Sequence, residues 1–307
     1  MTEHLTGIRP VLDDVLAAAD RIAPYARRTP VLSTRIDGRP VAFKLEHLQV
    51  TGSFKFRGAL NVLTADRDVR HVVAASGGNH GLGVAEAARL RGLPARIYVP
   101  HGTPEAKIRR IVAAGAQVIR HGERYAEAEA AARAEAAASG AGFLHAYDDP
   151  GVIAGQGTVG LEIVEQVPGC DTVAVAVGGS GLAAGVSLVL GPGRTLVAVE
   201  PERCNALHAA FAAGEPVEAP ADSIAASALG ASRVGELPFG ILRERRVRSV
   251  LVGDEQIASA RDRLWEELRL AVEPAAAAPF AAWLAGQVPG EHPCLVLCGA
   301  NTDWRPA

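Results

Sequence analysis

The sequence predicts an α/β protein with mostly parallel sheets flanked by helices. Three observations carry this. Short apolar strands alternate with helix-like segments along the 307 residues. The strands are continuous β-branched and alanine runs, as expected where both sheet faces are covered. Three of them end in glycine-rich turns.

In chain order, VAFKLE (41–46) is the first strand. TGSFKFRGA (51–59) then opens a helix, with Ser53 a suitable N-cap and Phe56, Leu60 and Leu63 on one apolar face. HVVAAS (71–76), ARIYVP (95–100) and AQVIRH (116–121) are strands, separated by the helical segments LGVAEAARLRG (82–92) and PEAKIRRIVAAG (104–115). The alanine-rich run 126–140 reads as a plain helix, with Glu129 and Arg133 as an exposed i,i+4 pair. TVAVAV (172–177), TLVAVE (195–200) and CLVLCG (294–299) are further strands, and IASARDRLWEELRL (257–270) is a helix. No linker and no repeat interrupts the chain. A small lobe at roughly 62–146 is expected inside a larger one built from both chain ends.

Composition narrows the function. Net charge is −3 and the pI about 6.3, which argues against nucleic acid or an anionic membrane as partner. Thr172 to Gly193 is free of charge and long enough to mimic a membrane span, but its centre, GGSG, reads as a turn between strand and buried helix. The start, MTEHLTGIRPVLDDV, has acids where an export signal would be apolar. Cys170, Cys204, Cys294 and Cys298 contain no CxxC pattern, and Cys294 and Cys298 would lie roughly 13 Å apart along a strand. A cytoplasmic location is expected.

The three glycine turns hold the chemistry. SGGNHGLG (76–83) ends a strand and opens a helix, exposing backbone N–H groups at the positive end of the helix dipole. Ser76, Asn79 and His80 add side-chain donors. VGGSGLAAG (177–185) has the same setting and suits a phosphate. It also satisfies the GxGxx(G/A) dinucleotide pattern at Gly179, Gly181 and Ala184, with Glu200 about 20 residues on, so an NAD-binding oxidoreductase is a competing reading. That reading leaves Lys55 without a task. LCGANTD (297–303) is the third turn, with Cys298 at the strand end.

Lysine is rare here: of 31 Lys+Arg, only Lys44, Lys55 and Lys107 are lysines. Lys55, between Phe54 and Phe56 in the first turn of a helix, faces the dipole and apolar neighbours. Both disfavour its charge and leave a nucleophilic amine suited to an aldehyde. A snorkelling stem is the plain alternative. Amine, phosphate cradle and second anion site together describe a pyridoxal 5'-phosphate (PLP) site with room for a carboxylate substrate.

KLEHLQVTGSFKFRGALN, ASGGNHGLGVAEAA, DDPGVIAGQGTVGLEI, VGGSGLAAGV, AVEP and LCGANTD, in this order, resemble the serine/threonine dehydratase family of fold-type II PLP enzymes over nearly the whole chain. The resemblance implies a two-lobed fold with the cofactor between lobes: a large domain of 1–61 and 147–307 and a small domain of 62–146. It implies that Lys55 bonds the cofactor and moves the Cα proton. Phe54 would flank the ring and Asn79 would meet its hydroxyl. Gly178, Gly179, Ser180, Gly181 and Leu182 would hold the phosphate, and Cys298 would face the pyridine nitrogen. Ser76, Gly77, Asn79 and His80 would grip the substrate carboxylate. A homodimer is the family's default.

The implied reaction is loss of water from L-threonine or L-serine, giving a 2-oxo acid and ammonia. A neutral thiol opposite the ring nitrogen makes a moderate electron sink, which favours elimination. Related serine racemases carry a serine at the position of Gly77, so racemisation is disfavoured. Lyases for 3-hydroxyaspartate or a phenylserine are alternatives; Arg57 or Arg233 could meet a second carboxylate, but the plainer reading of each is a solvated arginine. Several positions depart from the family pattern. Ser180 replaces a usual glycine, Tyr147 stands in HAYDDP (145–150), and EPAAAA (273–278) lacks a common glycine. Metal-binding relatives have an aspartate where this chain has Ala206, so no metal is expected. The chain stops after the third turn, so no C-terminal regulatory domain is expected either.

Overall fold

The computed structural model describes residues 9–245 and 247–302. The start of the chain, and Asp303 at the end of the third turn, lie outside them. The chain enters through α1 (Leu12–Ile22) and a hairpin of β1 (Val31–Ile36) and β2 (Arg39–Lys44). The hairpin turns at Asp37 and Gly38, both at positive φ (51° and 74°), the twist a two-residue loop requires. α2 (Lys55–Ala65) leads into β3 (Val72–Ala75), α3 (Asn79–Leu90), β4 (Ala95–Val99), α4 (Glu105–Ala113), β5 (Gln117–Arg120), α5 (Tyr125–Ser139) and β6 (Gly142–Phe143). α6 (Pro150–Gln166) returns the chain to β7 (Thr172–Ala176), α7 (Gly181–Val189), β8 (Thr195–Pro201), α8 (Ala206–Ala213), α9 (Ala226–Leu229) and α10 (Glu236–Glu244). It finishes with β9 (Arg248–Val252), α11 (Asp254–Leu268), α12 (Pro274–Leu284) and β10 (Pro293–Val296).

Two sheets result, of order β1-β2-β10-β7-β8-β9 and β5-β4-β3-β6. Every pairing is parallel except β1 with β2. The strand β10 inserts between β2 and β7, with Cys294 opposite both Ala42 and Val173. Its four residues are buried, as a strand with neighbours on both edges and helices on both faces must be. This insertion brings the second and third glycine turns side by side. Ligands of parallel sheets bind beyond the carboxyl ends of the strands, where all three turns lie.

The helix over 55–65 buries Phe56, Leu60 and Leu63 on the expected face. Ser53 is not its N-cap. Phe54 holds that position in αR geometry, while Ser53 is drawn into a bridge with Gly299. A strand-end contact has outcompeted the cap. Thr172 to Gly193 forms β7 and then α7, both buried, and no helix among the described residues is long and apolar enough to cross a membrane. The four cysteines are free.

Candidate active site

Lys55 is placed by main-chain bonds rather than by side chains. The segment 52–54 is zipped against the end of β10: Phe54 N donates to Cys298 O (3.1 Å) and Ala300 N to Gly52 O (2.9 Å). The first residue of α2 therefore projects beside Cys298. α3 packs so closely behind it that a Cβ on Gly83 would lie 3.2 Å from the Lys55 carbonyl carbon. That glycine serves helix contact, not anion binding. Lys55 Nζ donates to Ala146 O (2.7 Å) and lies 5.2 Å from the centroid of the Phe54 ring. Burial lowers its pKa to about 8, against a small opposing pull from Cys298. The amine is thus neutral in part at ordinary pH, as a nucleophile must be.

The next residue along from Ala146 reaches the second turn. A Cβ on Gly179 would fall 2.1 Å from Tyr147 Cδ1, and one on Gly181 would sit 3.0 Å from Tyr147 Cβ. A Cβ on Gly178 would likewise sit 2.9 Å from Leu229 Cα. These contacts explain three glycines, and they leave a cradle lined by main chain. Ser180 adopts φ 74°, left-handed and unusual for a residue with a side chain, and its buried Oγ has no partner. The first intrahelical bond is Ala184 N to Ser180 O, so the amides of Gly178 to Leu182 precede the hydrogen-bonded turns. The Tyr147 hydroxyl donates to Arg233 O at 3.4 Å.

The first turn has a division of labour that the sequence did not reveal. Ser76 Oγ accepts from Gly78 N (3.1 Å), shaping the loop. His80 turns its Nε2 to Leu144 O (3.0 Å), and burial, with the nearby Lys55 charge, lowers its pKa to about 3. Its ring is therefore neutral and occupied, so only its main-chain N–H remains for a carboxylate. Gly77 lies under Thr103. Asn79 Nδ2 donates to Glu273 Oε1 (2.7 Å), and Asn79 Oδ1 is buried with no partner.

Glu273 was missed as a site residue. It is 3% exposed, and a Cβ on Gly299 would overlap its Oε1. Burial raises its pKa to about 7, and that of the Cys298 thiol well above the usual range. The available signal was a lone charge between Arg269 and Glu291 in an otherwise apolar run.

Two other sequence expectations are corrected. Arg57 is no solvated cation and no second-carboxylate ligand. It is 1% exposed, and its donors go to Glu46 (2.7 and 2.8 Å), Glu162 (2.7 Å), Thr158 (3.2 Å) and Arg27 O (3.2 Å). Lys44 completes this network, donating to Thr29 O, Glu162 and Gln166. Arg233 pairs with Glu236 at the surface (2.7 Å). Glu200, the acid of the dinucleotide reading, accepts from Leu207 N and His208 N, both at 2.8 Å, and caps α8 instead of facing a ribose.

The residues fit PLP. A nucleophilic amine hydrogen-bonded to Ala146 O, a main-chain cradle against the adjoining Tyr147, and the buried, unpartnered Asn79 Oδ1 are groups such a cofactor needs. Comparison with known proteins agrees. The family model described as pyridoxal-phosphate dependent enzyme matches residues 22–299. An L-threonine ammonia-lyase of Geobacter sulfurreducens is 37% identical, over 93% of this chain and 74% of that protein. An L-threo-3-hydroxyaspartate ammonia-lyase of Saccharomyces cerevisiae is 34% identical, over 97% and 95%. The crystal structure of a T.th. threonine deaminase superimposes with a TM-score of 0.91 at 38% identity, covering 97% of this chain and 100% of that one. Serine racemases are among the further matches.

Proposed function

The chain belongs to the pyridoxal-phosphate dependent enzyme family, and we propose that it works there as an ammonia-lyase on L-threonine and L-serine. The reaction removes the Cα proton and the β-hydroxyl, and hydrolysis of the resulting imine releases a 2-oxo acid and ammonia. One observation carries the reading: Lys55 Nζ bonds Ala146 O, and the adjoining Tyr147 lies against Gly179 and Gly181 of the phosphate cradle. When bound, the cofactor would supply the aldehyde and the electron sink that loosens the Cα proton.

The chain's own groups divide the remaining work. Lys55 Nζ holds and returns the Cα proton. Amides 178–182 would bind the phosphate, and Phe54 would flank the ring. Amides of the 76–80 turn would orient the carboxylate, with Asn79 toward the ring hydroxyl. Cys298, kept protonated by burial, would meet the ring nitrogen as a neutral group that cannot stabilise a charge there. Elimination is favoured over inversion because Gly77 offers no second acid. Threonine and serine are favoured over 3-hydroxyaspartate because Arg57 is committed to Glu46 and Glu162.

The division into 1–61 with 147–307 and 62–146 is supported by the separate six- and four-stranded sheets. A homodimer in the cytoplasm completes the reading, and four unpaired cysteines suit a reducing compartment. Borohydride reduction and peptide mapping test the site, with the adduct expected on Lys55 and not on Lys44 or Lys107. Parallel assays with L-threonine, L-serine and L-threo-3-hydroxyaspartate, following 2-oxo acid and D-isomer, test the reaction. Racemisation outpacing oxo-acid formation would reverse the assignment.

A further inference from the structure

Glu273 is a buried carboxyl that the proposed chemistry leaves unused, and its side-chain partner is Asn79. Three elements enclose it. α3 brings Asn79, the turn after β10 brings Gly299 and the Cys298 thiol, and α4 brings Lys107, whose ammonium favours the ionised carboxylate. The Cys298 thiol also neighbours the Lys55 amine.

An amide held this way has two orientations. An ionised carboxylate only accepts, so Nδ2 must face Glu273, and Oδ1 is left for the other side. A protonated carboxyl can donate its O–H to Oδ1, which turns Nδ2 and its two donors outward. The change adds one proton to Glu273 and exchanges the hydrogen bond from Nδ2 to Oε1 for one from the carboxyl O–H to Oδ1. The orientation found is the first, with Oδ1 buried and unpartnered.

Resting on the cofactor reading above, we propose that Glu273 is a positioning residue. By holding or releasing one proton, it sets whether Asn79 offers the cofactor's ring hydroxyl an acceptor or a donor. An acceptor keeps that hydroxyl protonated; donors favour its anion, which absorbs at longer wavelength. Burial raises Glu273 to about 7, against the opposing pull of the Asn79 bond and Lys107, so both states are populated near neutrality.

The test is a pH titration of the visible absorbance of the holoenzyme without substrate. The wild type should show a step centred near neutrality, and Glu273→Gln, which cannot change charge, should lose it. Lys107→Met should move the midpoint upward by about half a unit, because a cation that favours the carboxylate is gone. A step that survives unchanged in Glu273→Gln overturns the proposal. If that variant does not fold, an unmoved midpoint in Lys107→Met overturns it instead. A wild-type protein that develops no visible band with added PLP overturns the cofactor reading itself, and this inference with it.

Discussion

Thr103 occupies the space that a side chain on Gly77 would need. A Cβ built on Gly77 falls 2.5 Å from Thr103 Cγ2 and 3.0 Å from its Oγ1. The two positions compete for one volume. Gly77→Ser alone should therefore destabilise the fold by about 1–3 kcal/mol, the usual cost of overpacking, and slow threonine turnover. Adding Thr103→Ala should restore the melting temperature. Any D-serine formation should appear first in that double variant. Equal melting temperatures for the single and double variants would show that the positions do not compete.

Lys55 should govern how fast cofactor is captured. Its pKa is lowered to about 8, so the neutral amine becomes more abundant as pH rises and then saturates. Stopped-flow absorbance of apoprotein mixed with PLP should show a rate that climbs from about pH 7 to 9 and then levels off. A profile still rising steeply past about pH 10 would mean an ordinary, solvated lysine.

Ser180 tests whether the cradle is main chain alone. Its left-handed φ of 74° costs a residue with a Cβ about 1 kcal/mol that glycine does not incur. Ser180→Gly should raise the melting temperature of the apoprotein slightly and leave the PLP dissociation constant within about twofold. A tenfold loss of affinity would assign a real role to the hydroxyl.

Arg57 anchors the helix that carries Lys55. Arg57→Met removes the cation bonded to Glu46, whose side chain is 0% exposed, and leaves Glu162 (13%) with Lys44 alone. Breaking a buried pair from one side costs about 3–5 kcal/mol, readable as a lower urea midpoint. Arg57→Lys should recover only part, since lysine cannot reproduce the two-pronged contact with Glu46. Full recovery would argue that charge alone, not fork geometry, matters here.

Chelator should have little effect. Both Glu200 oxygens accept main-chain N–H groups at the start of α8, so that carboxylate is already engaged. Dialysis against EDTA is expected to leave turnover unchanged, and a loss restored by added Mg²⁺ would contradict this.

The strands near the glycine turns were legible because buried parallel strands are apolar without interruption. β1, β6 and β9 were not. β1 exposes polar residues at a sheet edge, β6 is two residues long, and β9 mixes an exposed arginine with its valines. His80 was read as a ligand donor by residue type, but Leu144 O already holds its ring, whereas Ser76 Oγ accepts from Gly78 N and keeps its O–H to donate. Arg57 was read as solvated because nothing in FKFRGA announces that Glu46 and Glu162 will meet it.

From its residues alone, then, the chain declares an α/β fold, three strand-end turns rich in free amides, and one lysine set among apolar neighbours. Those are local properties, carried by periodicity, glycine and charge within short windows. Where β10 inserts, which carboxylate finds Arg57, and that Glu273 comes to lie on Asn79 depend on partners far away in the chain, 194 positions for Asn79 and Glu273 and more for Cys294 and Ala42. Only packing decides such meetings, because a buried polar group takes whatever partner the closing core brings within reach.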